Sequence, residues 1–323
     1  MDPDVVAAVE HLHRGRLLPD QTAARLSRIA RGDLVSAHTE LRVALYAGVL
    51  LLTSGVGLLL KDNLARLGPL TIASAVGLAA AACFAWVARH APRFAWGETP
   101  VDHLAFDYLL LLGVLLGSAD LAYVEARFTP LGSNWPWHLL IVALVMAPIA
   151  ARCDSRVVFS LSLSTFAAWR GVSTSLVETS LWRFAHVTGA LRANAIGCGV
   201  LFLLLGFLMK QGERKAHFEP VATYMGWIAV LAALVSGIGT TTSEELLFTF
   251  ATMATGVGVA VYAACSRRFG LLAIGLMATY IAICALFHRA QPQDTLAALW
   301  YTVTSLALLA GLFVAHHRLK EPE

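Results

Sequence analysis

The chain has 323 residues, of which 58% are hydrophobic and 14% are charged, and its mean hydropathy is +0.68. A soluble domain carries about 25% charged and about 45–50% apolar residues, so this composition excludes an ordinary water-soluble protein and predicts one that lipid solvates. The 24 basic and 21 acidic residues leave a formal charge of only +3, which argues against a nucleic-acid-binding protein.

The first forty residues are polar. Their apolar spacing predicts two short amphipathic helices, the second with Pro19 in its first turn and Gly32 at its end. The first apolar run starts near Leu41, too late for a signal peptide, so we expect no cleaved leader. We interpret residues 1–40 as a helical cytoplasmic cap, which either packs on the membrane face or docks a partner protein.

Ten apolar runs follow, and we predict an all-α polytopic transmembrane bundle with one span in each. A bilayer core requires about 20 residues per helix. The fifth run has only thirteen residues and several hydroxyl side chains, which fits either a short span or a re-entrant segment. The predicted spans are Leu41–Leu60, Leu67–Ala88, Leu104–Val124, Trp135–Ala151, Val157–Trp169, Ala193–Met209, Val221–Gly239, Glu245–Ala264, Phe269–Phe287 and Leu296–Ala315.

The distribution of basic residues favours ten crossings. With both termini in the cytoplasm, ten spans place 17 of the 24 Lys and Arg residues inside, against 14 if the fifth run does not cross. Residues 41–315 are then the bundle, and residues 316–323 are a cytoplasmic tail. The many Arg, Ala, Gly and Leu residues are typical of a GC-rich bacterium, so we expect the bacterial inner membrane.

Several short patterns resemble a known family. They are Gly15-x-Leu17-x-x-Asp20-Gln21, Asp107-Tyr108-Leu109-Leu110, Gly113-x-x-x-Gly117 and Trp135-Pro136-Trp137, the last before a span that ends in Ala150-Ala151-Arg152. Over roughly residues 1–170 the chain resembles the bacterial membrane proteins grouped as domain-of-unknown-function family 2157. The resemblance implies a polytopic membrane protein and supplies no mechanism.

Ten spans also divide into two halves of five, residues 41–170 and 193–315, which would necessarily run antiparallel. Two antiparallel halves with equal numbers of spans are the layout of inverted-repeat transporters. An offset of 151 residues aligns Gly48 with Gly199 and Gly55 with Gly206. Glycine matches also arise by chance in apolar sequence, so both interpretations stay open.

The third run carries most of the candidate site residues. Ionisable residues inside a membrane are costly and are functional candidates by default. Here they are His103, Asp107, Asp120 and Glu125. Asp120 lies seven residues after Gly113 and shares its face, so we expect it to face other helices, where it could bind protons or cations. The alternative is that Asp120 lies about one turn from the outer interface and reaches water or a nearby Arg.

Three further polar residues are predicted at the outer side. Together with Asp120 and Glu125, they would line a vestibule; they are Asn194, Glu244 and Glu245, although a polar turn and helix N-capping explain the two glutamates equally well. Elsewhere, Ser160 and Ser164 are expected to hydrogen-bond a neighbouring helix. The pairs Gly197/Gly199 and Gly256/Gly258 indicate close helix packing.

No known catalytic pattern is present: the sequence has no HExxH, GxSxG or P-loop motif. Its five cysteines form no CxxC pair. We therefore predict no enzyme activity, no metal and no cofactor. The preferred function is a carrier for a small or lipid-like solute, with Asp107 and Asp120 in the pathway. The alternative is a non-catalytic scaffold or sensor that recruits a partner through residues 1–40; neither fixes the oligomeric state.

Overall fold

The computed structural model describes residues 38–63, 68–92, 94–99, 104–134, 136–171, 189–238, 244–290 and 294–320. The chain divides into two units, Met1–Ile72 and Ala73–Glu323. In the first unit, the described residues form helix α1, His38–Asn63, and the start of α2, Pro69–His90, which continues into the second unit. Residues 1–37 of the predicted cap lie outside the described residues, as do residues 172–188.

The second unit consists of α-helices joined by short connections. The described residues contain no strand, and each of the ten predicted spans overlaps one α-helix, so the all-α fold class is confirmed. The remaining helices are α3 Leu104–Phe128, α4 Trp137–Cys153, α5 Arg156–Trp169, α6 Gly189–Gln211, α7 Glu219–Val235, α8 Glu245–Cys265, α9 Phe269–Ala290 and α10 Asp294–Lys320.

Among the described residues, seven helices, α2, α3 and α6 to α10, are long and apolar enough to cross a membrane. Large apolar side chains on them point outward, including Leu247 at 67% and Leu306 at 61% exposure. Apolar surface on this scale is stable only against lipid or another protein. The apolar parts of α1 and α4 are shorter, and α5 has only 14 residues. The number of crossings therefore stays a prediction at ten.

Two antiparallel helix pairs are held together through glycine. A Cβ atom on Gly199 of α6 would lie 2.7 Å from the carbonyl oxygen of Gly226 in α7, and one on Gly256 of α8 would lie 2.9 Å from that of Gly275 in α9. The backbones are therefore in contact, as small residues allow in membrane helices. Close packing is confirmed for Gly199 and Gly256, but it is wrong for Gly197 and Gly258, which face open space.

Helices α4 and α5 are linked by one buried serine. Ser162 Oγ donates a 2.8 Å hydrogen bond to the carbonyl oxygen of Ala143 in α4. The prediction that Ser160 and Ser164 bond a neighbouring helix is wrong, because each hydroxyl donates to a carbonyl in its own helix, three or four residues earlier. That local acceptor is always within reach of a serine in a helix.

The short helix α5 runs antiparallel to α6, and both pairs of ends lie close together. Just before α5, Asp154 Oδ1 lies 2.5 Å from Nζ of Lys215, which follows α6. Just after α5, Arg170 Nη2 donates a 2.7 Å hydrogen bond to Asn194 Oδ1 near the start of α6. The turn between α4 and α5 and the turn between α6 and α7 therefore lie at the same end of the second unit.

Candidate functional site

A half-open pocket of about 670 Å³ lies among α6, α7 and α8. On α7 its lining residues are Glu219, Thr223 and Trp227, which recur every four residues and so share one helix face. We call it the amphipathic pocket. The other lining residues are Leu203, Phe207, Lys210 and Gln211 from α6 and Tyr262 from α8.

The polar end of the amphipathic pocket is closed by Glu219, whose side chain is 9% exposed. Oε1 accepts hydrogen bonds from Thr223 Oγ1 at 2.9 Å and from Arg268 Nη1 at 2.8 Å, and Oε2 accepts one from Arg268 Nη2 at 2.7 Å. This is the two-pronged geometry in which arginine binds carboxylates most strongly. The hydrogen bonds to Glu219 raise the pKa of the Arg268 guanidinium.

A second positively charged side chain, that of Lys210, lies at the rim of the amphipathic pocket. Lys210 is exposed, and none of the described residues forms a hydrogen bond or an ion pair with its Nζ atom. The adjacent Gln211 also lines the pocket with a side-chain amide that no described residue engages. The pocket therefore offers one positive charge that forms no direct contact with a described residue, beside a neutral hydrogen-bonding group.

The walls of the amphipathic pocket are apolar and open onto the exterior of the bundle. Phe207 is 56% exposed and Tyr262 is 42% exposed, although both line the pocket. Behind it, a Cβ atom on Gly206 would lie 3.2 Å from Thr223 Oγ1, so α6 and α7 close the back of the pocket. An amphiphilic ligand can therefore enter from the side, between helices, with its polar group at the end of the pocket that carries Lys210, Gln211 and Glu219.

A groove of about 330 Å³ between α7 and α9 offers a contrast. Its lining side chains are all apolar, among them Ile228, Leu231 and Met277. Such a surface contacts lipid chains but has no polar group to orient a ligand. The amphipathic pocket is therefore the better candidate for a binding site.

A separate cluster of buried ionisable groups joins three connections at one end of the second unit. Asp154 Oδ1 contacts Lys215 Nζ at 2.5 Å, and Oδ2 accepts hydrogen bonds from the backbone N–H of Thr99, at 2.9 Å, and from its hydroxyl. His217 Nε2 lies 3.1 Å from Asp154 Oδ1 but outside hydrogen-bonding geometry. We call Thr99, Asp154, Lys215 and His217 the ion cluster.

The ion cluster stabilises the fold by joining the connections between helices. The side chains of Asp154 and Lys215 are 2% and 4% exposed. Burial alone would raise the pKa of Asp154, but the hydrogen bonds from Lys215 and Thr99 outweigh it and hold that pKa below its ordinary value. The backbone N–H of Lys215 also donates to the carbonyl oxygen of Trp96 at 2.8 Å. Because Asp154 and Lys215 satisfy each other, the cluster leaves little capacity for a ligand.

Asp120 lies where its spacing predicts, against a neighbouring helix. A Cβ atom on Gly77 of α2 would be 3.0 Å from Asp120 Oδ2, so the carboxylate packs on the glycine. The other oxygen, Oδ1, is buried without a hydrogen-bond partner. The expectation that Asp120 faces another helix is confirmed, whereas its part in a solute pathway stays a prediction.

Asp107 and Glu125, the other predicted site residues of α3 that the structure describes, form no hydrogen bond with Asp120. Asp107 lies thirteen residues earlier on α3, which is about 20 Å along the helix axis. Glu125 is buried, and its Oε2 accepts a 3.3 Å hydrogen bond from the backbone N–H of Leu131 in the turn after α3. His103 lies outside the described residues.

Among the three outer residues, Asn194 and Glu245 contact different partners. Asn194 is engaged by Arg170. Glu245 Oε2 lies 3.5 Å from Arg289 Nη1, a partly exposed pair that joins the start of α8 to the end of α9. Glu244 is exposed just before α8 and makes no side-chain cap there. These contacts tie helix ends together, and the predicted vestibule stays a prediction.

The predicted site residues do not include those that form the amphipathic pocket, such as Lys210, Glu219 and Thr223. A signal was present, because Glu219, Thr223 and Trp227 place polar or amphipathic groups at four-residue spacing at the start of an otherwise apolar run. What the sequence does not show is that α6 and α8 approach this face.

No protein-family model matches the chain, and no curated protein or solved structure is found to be similar to it. The resemblance to family 2157 therefore stays a prediction. The class follows from the fold itself: seven apolar helices of sufficient length, with large apolar side chains on their outer surface, define a multi-pass integral membrane protein.

Proposed function

We propose that the protein is a membrane carrier for a lipid-like solute and that the amphipathic pocket is its binding site. The observation that carries this proposal is the pocket itself. Its volume of about 670 Å³ lies within the range of about 300–1,000 Å³ typical of small-molecule sites. Its apolar walls and single polar end match an amphiphile, and its opening on the apolar exterior gives such a solute access from the bilayer.

A carrier of this kind crosses the membrane with a defined topology, and we propose ten crossings with both termini in the cytoplasm of a bacterium. The contact between Asp154 and Lys215 supports this count. If α6 crossed the bilayer and α5 did not, these two residues would lie on opposite sides. Their contact therefore supports a joint crossing of α5 and α6, which the distribution of basic residues also favours.

The test is lipid transfer between the leaflets of reconstituted vesicles. The purified protein is inserted into liposomes that contain a nitrobenzoxadiazole-labelled phosphatidylglycerol, phosphatidylcholine or cationic trimethylammonium lipid, and dithionite reduction reports how fast the label changes leaflet. We expect faster transfer of at least one lipid than in protein-free vesicles. Phe207→Ala removes a pocket wall and should slow that transfer severalfold, because the solute loses apolar contact.

Leu208→Ala is the matched control. Leu208 follows Phe207 directly and has the same 56% exposure, but it does not line the pocket. This variant should transfer lipid at the wild-type rate. Equal slowing by both variants would show that the effect comes from the helix surface and not from the pocket. Transfer of all three lipids at the protein-free rate would overturn the carrier proposal.

A further inference from the structure

We propose that the amphipathic pocket selects an amphiphile with an anionic head group, a phosphate or a carboxylate, and that Lys210 binds this group. The inference rests on the proposed function, because it assigns the substrate class of the same pocket. It follows from which charges in the pocket are already paired and which are not.

The one acidic residue among those that line the pocket is not available to a cationic ligand. Both oxygens of Glu219 are occupied: Oε2 by Arg268, and Oε1 by Arg268 and Thr223. A cationic head group would have to displace a two-pronged guanidinium contact made at 2.7 and 2.8 Å. Glu219 therefore holds Arg268 at the closed end of the pocket and is not a receptor for a positive charge.

The positive charge at the rim is available. Lys210 Nζ forms no hydrogen bond or ion pair with a described residue and is attracted by Glu219 only at longer range, whereas Glu219 binds Arg268 directly. Taken together, Lys210, Glu219 and Arg268 give this part of the pocket a net charge of one positive unit. An ammonium group on a flexible stem can form charge-assisted hydrogen bonds with a phosphate or a carboxylate, and Gln211 beside it can donate a further one.

The apolar residues complete the match to an amphiphile. Phe207 lies one helical turn from Lys210 and Gln211 on the same face of α6, so an acyl chain bound along Phe207 brings its head group to the lysine. Trp227 and Tyr262 have the apolar body and polar edge typical of residues that contact the glycerol region of a lipid. The occupant is therefore an anionic lipid of the surrounding leaflet.

The test measures ligand-induced thermal stabilisation of the full-length protein in a neutral detergent. The probes are dihexanoyl phosphatidylglycerol, dihexanoyl phosphatidylcholine and inorganic phosphate. We expect saturable stabilisation by the phosphatidylglycerol, at least about tenfold weaker apparent binding of the phosphatidylcholine, and no stabilisation by free phosphate, which lacks the acyl chains. Lys210→Gln should weaken the binding of the phosphatidylglycerol about tenfold, while Lys210→Arg should retain it.

Arg214→Gln provides the matched control, since it removes one exposed positive charge at the same end of α6 from a residue outside the pocket. It should bind the phosphatidylglycerol like the wild type. Equal binding of phosphatidylglycerol by Lys210→Gln and the wild type would overturn the inference, as would stabilisation by inorganic phosphate alone that depends on Lys210. Equal binding of both lipids, weakened by Phe207→Ala, would overturn anionic selection but leave the proposed binding site intact.

Discussion

Replacement of Asp154 by asparagine tests whether the ion cluster holds three connections of the protein together. Asp154 is suited to this change because its backbone is left-handed, with φ at 54°, a conformation that asparagine tolerates better than most residues. The amide oxygen can still accept hydrogen bonds from Thr99. The substitution therefore removes the negative charge with little change in shape.

The expected loss of stability follows from burial. The side chains of Asp154 and Lys215 are 2% and 4% exposed, so Asp154→Asn leaves an ammonium group out of water without a counter-ion. Removal of one member of a buried pair typically costs about 3–5 kcal/mol. The pair of Glu98 and Arg156 lies at the same end, with 2.9 Å between Oε1 and Nη2. Because its side chains are 62% and 55% exposed, its loss should cost about 0–1 kcal/mol.

The assay is the free energy of unfolding, measured by titration with sodium dodecyl sulfate in mixed micelles. We expect Asp154→Asn to lose several times more stability than Glu98→Gln. Addition of Lys215→Met to Asp154→Asn should recover more than about half of the loss, because the buried charge is then gone. Equal losses for Asp154→Asn and Glu98→Gln would refute the reasoning, as would a double variant less stable than Asp154→Asn alone.

Three further predictions follow from single residues. The ionised Asp154 stabilises the fold above the ordinary aspartate pKa of about 3.9, and this stability is lost as the pH falls below that value towards the lowered pKa. In acid, the free energy of unfolding should therefore depend less on pH for Asp154→Asn than for the wild type. Gly256→Ala should lower the unfolding free energy by about 1–3 kcal/mol, because its Cβ atom would meet the backbone of α9, whereas Gly258→Ala should not. Asp120→Asn should unfold at the wild-type temperature or higher, since Oδ1 has no partner to lose; a lower temperature would contradict this.

The sequence predicted the features that depend on local pattern. Long apolar runs predict membrane helices, and each of the ten predicted runs, including the short fifth one, overlaps a described helix, so the positions of these helices could be predicted from hydropathy. The face of Asp120 followed from its seven-residue spacing from Gly113. The same reasoning failed for Ser160 and Ser164. A serine hydroxyl in a helix can donate to a backbone carbonyl of its own helix, so its position in the sequence does not show whether it bonds a neighbouring helix.

The candidate site could not be predicted because it depends on which helices meet. Arg268 lies 49 residues from Glu219 in sequence, and nothing in the sequence around either residue indicates that the two form an ion pair. Apolar helices of similar composition pack through small residues, and the sequence contains many glycines with no mark of which ones form contacts. Gly199 packs against α7, whereas Gly197, two residues earlier, faces open space. The positions of the helices therefore depend on local sequence pattern, whereas the pocket depends on how the helices pack against one another.

The most direct test of the central claim is an electron cryomicroscopy map of the protein in nanodiscs of phosphatidylglycerol. We expect elongated density in the amphipathic pocket, with its head group at Lys210 and its chain along Phe207, and weaker density there in the Phe207→Ala variant. A pocket closed by direct contact between α6 and α8, without lipid density beside Lys210, would contradict the account.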